Sequence, residues 1–337
     1  MAILKLRYDL RSVSDDPEIR ADLYRTALDQ VRWADRCGFA SVMLHEHHGA
    51  SDGYLPSPMV MAAAVAAATT SIGIEVGALL VPLHDPLRLA EDLAVLDLLS
   101  RGRLTVVPGV GYVPEEYVMF GKRKATRGAA LDRGIEVLRQ AWSGEYFEYE
   151  GRTVRITPRP YRRPGPPIVV GGGSRAAAQR AARIGDGFAP HLAAAWEDYR
   201  RALTAAGRPD PGPMPPSSPR FVYVSDDPER SWLELAPYLI HEMNGYGEMA
   251  EKAREVTGYQ TVAHLDELRR SPHYRVLTPE ECLDMIDGLG PDGSFTLRPL
   301  AGGMDPALSW ASLRLFETEV LPRVAAGTAV RVAGRPT

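Results

Sequence analysis

The sequence predicts an α/β fold, a single barrel built from seven or eight strand–helix units. The 337 residues are long for one ordinary domain but normal for one barrel. Short β-like runs alternate with long helical patterns, which indicates parallel strands joined by helices. Neither half opens with a nucleotide-binding fingerprint, so two doubly wound domains are the weaker interpretation.

The first half of the chain contains four regular strand–helix pairs. Each strand is a short apolar run, and the first helix places Leu23, Ala27 and Val31 on one face at the helical period. Pro86 suits the first turn of the third helix. The predicted strands are 3–9, 41–44, 72–81 and 104–107, and the predicted helices are 22–37, 57–69, 86–99 and 127–142.

The second half of the chain is less regular. Residues 144–157 predict a β-hairpin around Glu150 and Gly151, and the proline-rich residues 208–219 predict a loop, with a domain linker as the alternative. Residues 244–276 predict a helical excursion or a lid within one domain over 1–337. The remaining predicted strands are 168–170, 221–224 and 294–299, and the remaining predicted helices are 176–184, 228–243, 279–288 and 309–324.

The composition is that of a globular protein without a charged docking surface. The net charge of -4, from 39 basic and 43 acidic residues, lacks the basic excess of a nucleic-acid binder. Two cysteines cannot build a disulfide framework or a cysteine-based zinc site. The N-terminus has no signal-peptide core, and the apolar run at 59–68 is about half a membrane span. We therefore expect a cytoplasmic protein that binds neither nucleic acid nor membranes.

The first candidate site is the run His45-Glu46-His47-His48, which directly follows the strand 41–44. In an α/β barrel the active site lies at the carboxyl ends of the strands. Imidazole can donate, accept or exchange a proton near neutral pH, which suits general acid–base catalysis. A surface loop with hydrogen-bonded histidines is the alternative. A zinc site is weaker, because adjacent residues on an extended segment point to opposite sides, and we expect no metal.

Three glycine-containing segments are further candidates for ligand binding. Gly77-Ala78 lies inside an apolar strand, where glycine often marks a bulge or a close approach of a ligand to the backbone. Gly109 and Gly111 follow the strand 104–107 and could let a flat ring lie against main-chain amides. The turn Gly171–Ser174 precedes a helix, and helix N-termini bind phosphate. Packing glycines and a flexible turn are the alternatives.

Taken together, these segments resemble the bacterial luciferase-like monooxygenase family. The most specific part is the D-x-L-S-x-G-R run at 97–103, which follows an Asp-Pro pair at 85–86. The resemblance extends over nearly the whole chain. The residues that carry it are 46–48, 76–78, 84–86, 90–92, 96–103, 109–111, 120–121, 171–174, 184–187 and 312–322.

The resemblance implies a (β/α)8 barrel that uses reduced FMN supplied by a separate flavin reductase. It assigns His47 as the active-site histidine, with Glu46 and His48 as its neighbours. It also implies a non-proline cis peptide at Gly77-Ala78 under the flavin ring. The matching cofactor-binding positions are Gly77, Ala78, Gly109, Gly111 and the phosphate loop Gly172, Gly173 and Ser174.

Two departures from luciferase bear on the chemistry. Luciferase has a phosphate-binding arginine where this chain has Val110, and a reactive cysteine where it has Gly109. Phosphate binding must then rest on the loop amides, on Ser174 or on an arginine such as Arg175. These departures argue against light emission and leave monooxygenation in general unaffected.

From this resemblance we predict a cytoplasmic monooxygenase that uses reduced FMN and O₂ to oxygenate a small organic substrate. The resemblance also implies a homodimer formed through helices beside the early strands, and the alanine-rich helix 57–69 fits such a contact. One alternative keeps the fold and uses a deazaflavin for hydride transfer without oxygen. A second is a flavin-binding storage or sensor protein without turnover, and a third is a metal-dependent barrel hydrolase.

Overall fold

The computed structural model describes residues 2–254 and 259–324. They form two compact units, and each is described by itself. The first unit comprises the described residues of 2–42, 50–54 and 215–324, and the second unit comprises residues 43–49 and 55–214.

The described elements alternate between strands and helices along most of the chain. The strands are β1 (Ile3–Tyr8), β2 (Ser41–Leu44), β3 (Gly73–Leu79), β4 (Leu104–Pro108), β5 (Phe147–Tyr149), β6 (Arg152–Val154), β7 (Val169–Gly171), β8 (Gly187–Ala189), β9 (Phe221–Val224), β10 (Tyr274–Leu277) and β11 (Ser294–Leu297). The helices are α1 (Pro17–Arg36), α2 (Pro58–Ala68), α3 (Pro86–Leu99), α4 (Pro114–Met119), α5 (Arg127–Ser143), α6 (Arg175–Ile184), α7 (Ala193–Ala205), α8 (Pro228–Ala253), α9 (Leu265–Arg270), α10 (Pro279–Leu289) and α11 (Pro306–Leu315).

The first unit is built on parallel strands covered by α8. Strand β1 pairs in parallel with β11, from Ile3 opposite Ser294 onwards, and lies beside the first half of β2. Strand β10 pairs in parallel with β9. Leu235, Leu239 and Met243 of α8 are buried against the aromatic side chains of β9 and β10. This apolar face explains why the helix packs on these strands.

The second unit contains the second half of β2, which lies beside β3, and β3 pairs in parallel with β4. Strands β7 and β8 form another parallel pair, and a bridge between Val106 and Ile168 places the start of β7 beside β4. Strands β5 and β6 form the antiparallel hairpin that the sequence predicts. Within this unit, β2, β3, β4 and β7 are therefore successive neighbouring strands.

Most predicted elements agree with the structure within two residues, but several differ. Helix α1 begins at residue 17 rather than 22, because the Asp16 carboxylate accepts the Glu18 N–H at 2.8 Å and Pro17 occupies the first turn. Helix α8 runs on to Ala253 rather than ending at residue 243. The sequence does not predict β8, α4 or α7, and for β8 three residues are too few to show a strand period.

The segment 244–276 contains the end of α8, α9 and the start of β10, while its residues 255–258 lie outside the described residues. The sequence does not predict the strand β10 in this segment. The single domain over 1–337 and the lid remain predictions. None of the helices in the described ranges combines the length and the apolar character that crossing a membrane requires.

Candidate functional site

Glu46 binds three hydrogen-bond donors beyond the carboxyl end of β2. Its Oε1 lies 2.9 Å from His48 Nε2 and 2.8 Å from His84 Nε2, and its Oε2 accepts the Leu80 N–H. Leu80 directly follows β3, so this carboxylate joins the loop after β2 to the end of β3. Glu46 is buried, with 2% of its surface exposed.

The same contacts determine the charge of Glu46. Burial by itself opposes ionisation, but the hydrogen bonds to His48 and His84, the charge of His84 and the Leu80 N–H outweigh it and lower the pKa of Glu46 from 4.5 to about 2. Glu46 is therefore a carboxylate at neutral pH. In this state it accepts hydrogen bonds and anchors the loop, and it has no proton to donate.

His47 lies beside a second buried carboxylate, that of Glu116. Its Nδ1 is 2.7 Å from Glu116 Oε1, and its ring meets the Tyr112 ring edge-on with centroids 5.4 Å apart. Its N–H donates to Leu55 O at 3.3 Å. Glu116 lies on α4, just after β4, and the same Oε1 accepts the His48 N–H at 3.0 Å. The Glu46 carboxylate thus joins the loop after β2 to the end of β3, and the Glu116 carboxylate joins the same loop to α4.

The sequence alone does not reveal Glu116 as a site residue, and it gives no role to His84, which lies in the segment 84–86 that carries the resemblance. Glu116 follows a Gly-rich strand end and stands beside Glu115 in a short helix, so its pattern is also that of a solvated face. The available signal was its position, since polar side chains just after barrel strands often belong to the site.

The segment Gly77-Ala78 lies in closest contact with β4. The Gly77–Ala78 peptide bond is cis, as the resemblance implies. A Cβ on Gly77 would lie 2.5 Å from the Val107 Cβ, and a Cβ on Gly109 would lie 2.8 Å from the Ala78 Cβ. Both glycines therefore allow β3 and β4 to approach each other, and a side chain at either position would force a shift.

Gly111 adopts a left-handed conformation with a φ of 71°. The loop around it is fixed by the Tyr117 hydroxyl, which donates to the Val110 carbonyl. Burial raises the pKa of Tyr117 to about 12, so this hydroxyl keeps its proton.

The triglycine turn leads directly into α6. The Ser174 Oγ accepts the Ala177 N–H at 3.2 Å and so caps the helix, which leaves its hydroxyl proton able to donate to a ligand. The Gly172 N–H donates to Ala189 O at 3.4 Å, so it is already engaged within the fold. A Cβ on Gly173 would lie 2.3 Å from the His191 ring, which therefore covers this glycine. His191 is a neighbour of the turn that the sequence does not predict.

The donors at this turn fit the phosphate of FMN. Besides the Ser174 hydroxyl, the turn presents the positive end of the α6 dipole, a combination that binds anions. Arg175 is the first residue of α6. A Cβ on Gly171 would lie 3.5 Å from the carbonyl oxygen of Pro108, so the turn begins beside the end of β4.

The structure thus brings most of the predicted site residues to neighbouring strand ends of the second unit. Glu46, His47 and His48 follow β2, Gly77 and Ala78 end β3, and the other glycines follow β4 and β7. Their roles toward a cofactor remain predictions. Within 2–254 and 259–324, no three His, Cys, Asp or Glu side chains are arranged as metal ligands.

Comparison with known proteins identifies the family. The family described as luciferase-like monooxygenase matches residues 10–287, so the chain belongs to it. The flavin-dependent trigonelline monooxygenase, oxygenase component, of Acinetobacter baylyi is 28% identical over 162 residues, which cover 46% of this chain and 45% of that protein. The match thus spans about half the length of this curated relative.

Solved structures confirm the luciferase-like α/β barrel fold. The monooxygenase RslO1 from Streptomyces bottropensis is 26% identical, with a TM-score of 0.74 over 96% of this chain and 100% of that chain. The oxygenating constituent of 3,6-diketocamphane monooxygenase from Pseudomonas putida, in complex with FMN, is 21% identical, with a TM-score of 0.73 over 96% and 99%. Two F420-dependent enzymes share the fold at 16% and 15% identity, with TM-scores of 0.65 and 0.60, so the fold alone does not select the flavin.

Proposed function

We propose that this chain is the oxygenase component of a two-component monooxygenase, which uses reduced FMN and O₂ to oxygenate a small organic substrate. The observation that carries the proposal is the buried His47–Glu116 pair, at the strand ends that also hold the closely packed Gly77 and Gly109. Family membership and the name of the trigonelline relative, a flavin-dependent oxygenase component, support it.

The residues of the second unit divide the work between binding and proton transfer. Reduced FMN, when bound, supplies the electrons that activate O₂. The Ser174 hydroxyl and the N-terminus of α6 would bind its phosphate, and the backbone around Gly77-Ala78 and Gly109 would lie against its ring. His47 exchanges a proton at its Nε2, because its Nδ1 is engaged by Glu116: Nε2 accepts a proton in the neutral ring and donates one only from the doubly protonated ring.

Two protein partners belong to the proposed function. An oxygenase of this kind receives its reduced FMN from a separate flavin reductase. A homodimer is supported by exposed apolar side chains on α2 and α3, which pack beside each other: Val60, Val95, Leu98 and Leu99. A cytoplasmic location belongs to the same proposal.

The test is oxygen uptake and product formation with reduced FMN across a panel of organic substrates, under ¹⁸O₂. A substrate-dependent product that carries one ¹⁸O atom supports the proposal. Product formed without O₂, with reduced or oxidised deazaflavin in place of FMN, would assign hydride transfer instead. Tight binding of oxidised FMN without substrate-dependent oxygen use would assign a storage or sensor protein.

A further inference from the structure

We propose that Glu116 is the positioning residue of His47, which fixes the proton of His47 on Nδ1 so that Nε2 faces the reaction. The inference rests on the proposed function only because that function defines the reaction at Nε2. Its structural part concerns one hydrogen bond between two buried side chains, and it can be tested without any cofactor.

The hydrogen bonds at Glu116 determine which nitrogen of His47 carries the proton. The His48 main-chain N–H can only donate, and it points to Glu116 Oε1 at 3.0 Å, so this oxygen acts as an acceptor. His47 Nδ1 lies 2.7 Å from the same oxygen. With Glu116 as a carboxylate, an unprotonated Nδ1 would place two lone pairs against each other at that distance, so we assign the proton to Nδ1, which donates it to Oε1. In the neutral imidazole the other nitrogen, Nε2, is then the acceptor.

The surroundings keep the ring in this orientation. The His47 side chain is 9% exposed, and its ring stands at 84° to that of Tyr112, so a ring flip would have to displace an aromatic neighbour. The His47 N–H bond to Leu55 O holds the backbone of the same residue. Glu116 itself is 1% exposed and has little freedom to move.

The two buried glutamates of the site differ in their hydrogen bonds, which indicates that Glu46 anchors the loop and Glu116 positions His47. Glu46 uses both oxygens and binds three donors. Glu116 accepts two donors at Oε1, whereas its buried Oε2 has no hydrogen-bond partner among the described residues. Both oxygens of Glu46 are thus engaged in holding the loop, whereas in the described part of the chain the only side chain that Glu116 contacts through its engaged oxygen is that of His47.

The first experiment measures the tautomer directly. Protein labelled with ¹⁵N-histidine is examined by NMR at alkaline pH, where imidazoles are neutral, and the His47 signals are assigned by their loss in His47→Gln. We expect wild-type His47 to carry its proton on Nδ1. Glu116→Met keeps the length of the side chain but lacks the acceptor. In this variant a large fraction of the His47 rings should carry the proton on Nε2 instead. Glu115→Gln is the matched control, since Glu115 is exposed on the same helix, and it should leave the spectrum unchanged.

Two outcomes overturn the structural part. One is a wild-type His47 with its proton on Nε2, which needs no variant to be observed. The other is an unchanged tautomer in folded Glu116→Met, with Glu116→Ala as the second variant if the first unfolds.

The second experiment asks whether the position matters for turnover, through a double-mutant cycle on product formed per flavin oxidised. Glu116→Met should lower this ratio at least about 10-fold, the lower end of the cost of losing an orienting partner. The same change in a His47→Gln background should add nothing, because Glu116 would act only through His47. Additive losses in the cycle would overturn positioning through His47. If the tautomer of His47 changes as expected but the variants form as much product as the wild type, the hydrogen bond is confirmed. Its part in catalysis is then wrong, and so is the proposed role of His47.

Discussion

The carboxylate of Glu46 should contribute a pH-dependent share of the stability of the protein. Its pKa lies at about 2 in the folded chain and near 4.5 when no partners surround it. At about 1.4 kcal/mol per pKa unit, a difference of this size corresponds to about 3 kcal/mol of unfolding free energy. Glu46→Gln removes the charge while keeping the size of the side chain, so at pH 7 we expect it to lower the unfolding free energy by about that amount.

The direction of the pH dependence follows from the lowered pKa. Above about pH 4.5 the carboxylate is ionised in both the folded and the unfolded chain, and the full contribution is present. Between about pH 4.5 and 2 the unfolded chain binds a proton that the folded chain does not, so the contribution is lost as the pH falls. The stability difference between wild type and Glu46→Gln should therefore shrink across this window.

Urea unfolding at pH 7, 5.5, 4.5 and 3.5 measures this difference, with Glu115→Gln as an exposed control that should change the unfolding free energy little. A difference that stays constant from pH 7 to 3.5 would show that Glu46→Gln acts through packing and not through charge. No difference at pH 7 would refute the anchoring role altogether.

Four further predictions concern the cofactor, catalysis, packing and assembly. Ser174→Ala should weaken the binding of FMN by about 10- to 100-fold, which is the contribution of a hydrogen bond to a charged group. The binding of riboflavin, which lacks the phosphate, should weaken much less, and equal losses of affinity for both ligands would rule out the phosphate assignment. His47→Ala should lower turnover about 10²- to 10⁴-fold, and because it removes a donor from the buried Glu116 carboxylate it should also lower the unfolding free energy by about 1–3 kcal/mol; unchanged product per flavin oxidised in the folded variant would rule out a catalytic role for His47. Gly77→Ala should destabilise the fold by about 1–3 kcal/mol through overpacking, and Val107→Gly in the same chain, which removes the Cβ that the new methyl group would meet, should restore part of the lost stability in urea unfolding. Light scattering at micromolar concentration should give twice 36.9 kDa for the wild type and a lower mass for Val60→Asp; a wild-type monomer contradicts the dimer.

Helices α3 and α10 are predicted accurately because a hydrophobic period coincides with a chemical signal at the N-terminus, whereas the prediction for α1 does not use the same kind of signal at Asp16-Pro17 and begins five residues late. The predicted bounds of helix α3 match the observed ones because Pro86 follows an acidic N-cap, Asp85, whose carboxylate accepts two main-chain N–H groups. Helix α10 has the same kind of signal in Thr278, which forms a capping box with Glu281. Strand β8 has no such signal and is three residues long, so only its parallel pairing with β7 defines it.

The candidate site divides in the same way. The run Glu46–His48 and the glycines stand out in the sequence because each motif is local. The partner of His47 does not, because Glu116 is 69 positions away and only the fold brings the two together. The same holds for His84 and His191. The different duties of Glu46 and Glu116 also depend on which donors surround each oxygen, and a sequence pattern carries no information about that.

The tight contact between Gly77 and Val107 has a consequence for how this sequence can diverge. The two positions share one small volume, because a methyl group on residue 77 would come within 2.5 Å of the Val107 Cβ. Residue 107 must therefore lose its Cβ, by becoming glycine, before residue 77 can gain one without a shift of the backbone. A lineage that takes the reverse order passes through an overpacked intermediate, so homologues should vary at these two positions as a correlated pair rather than independently.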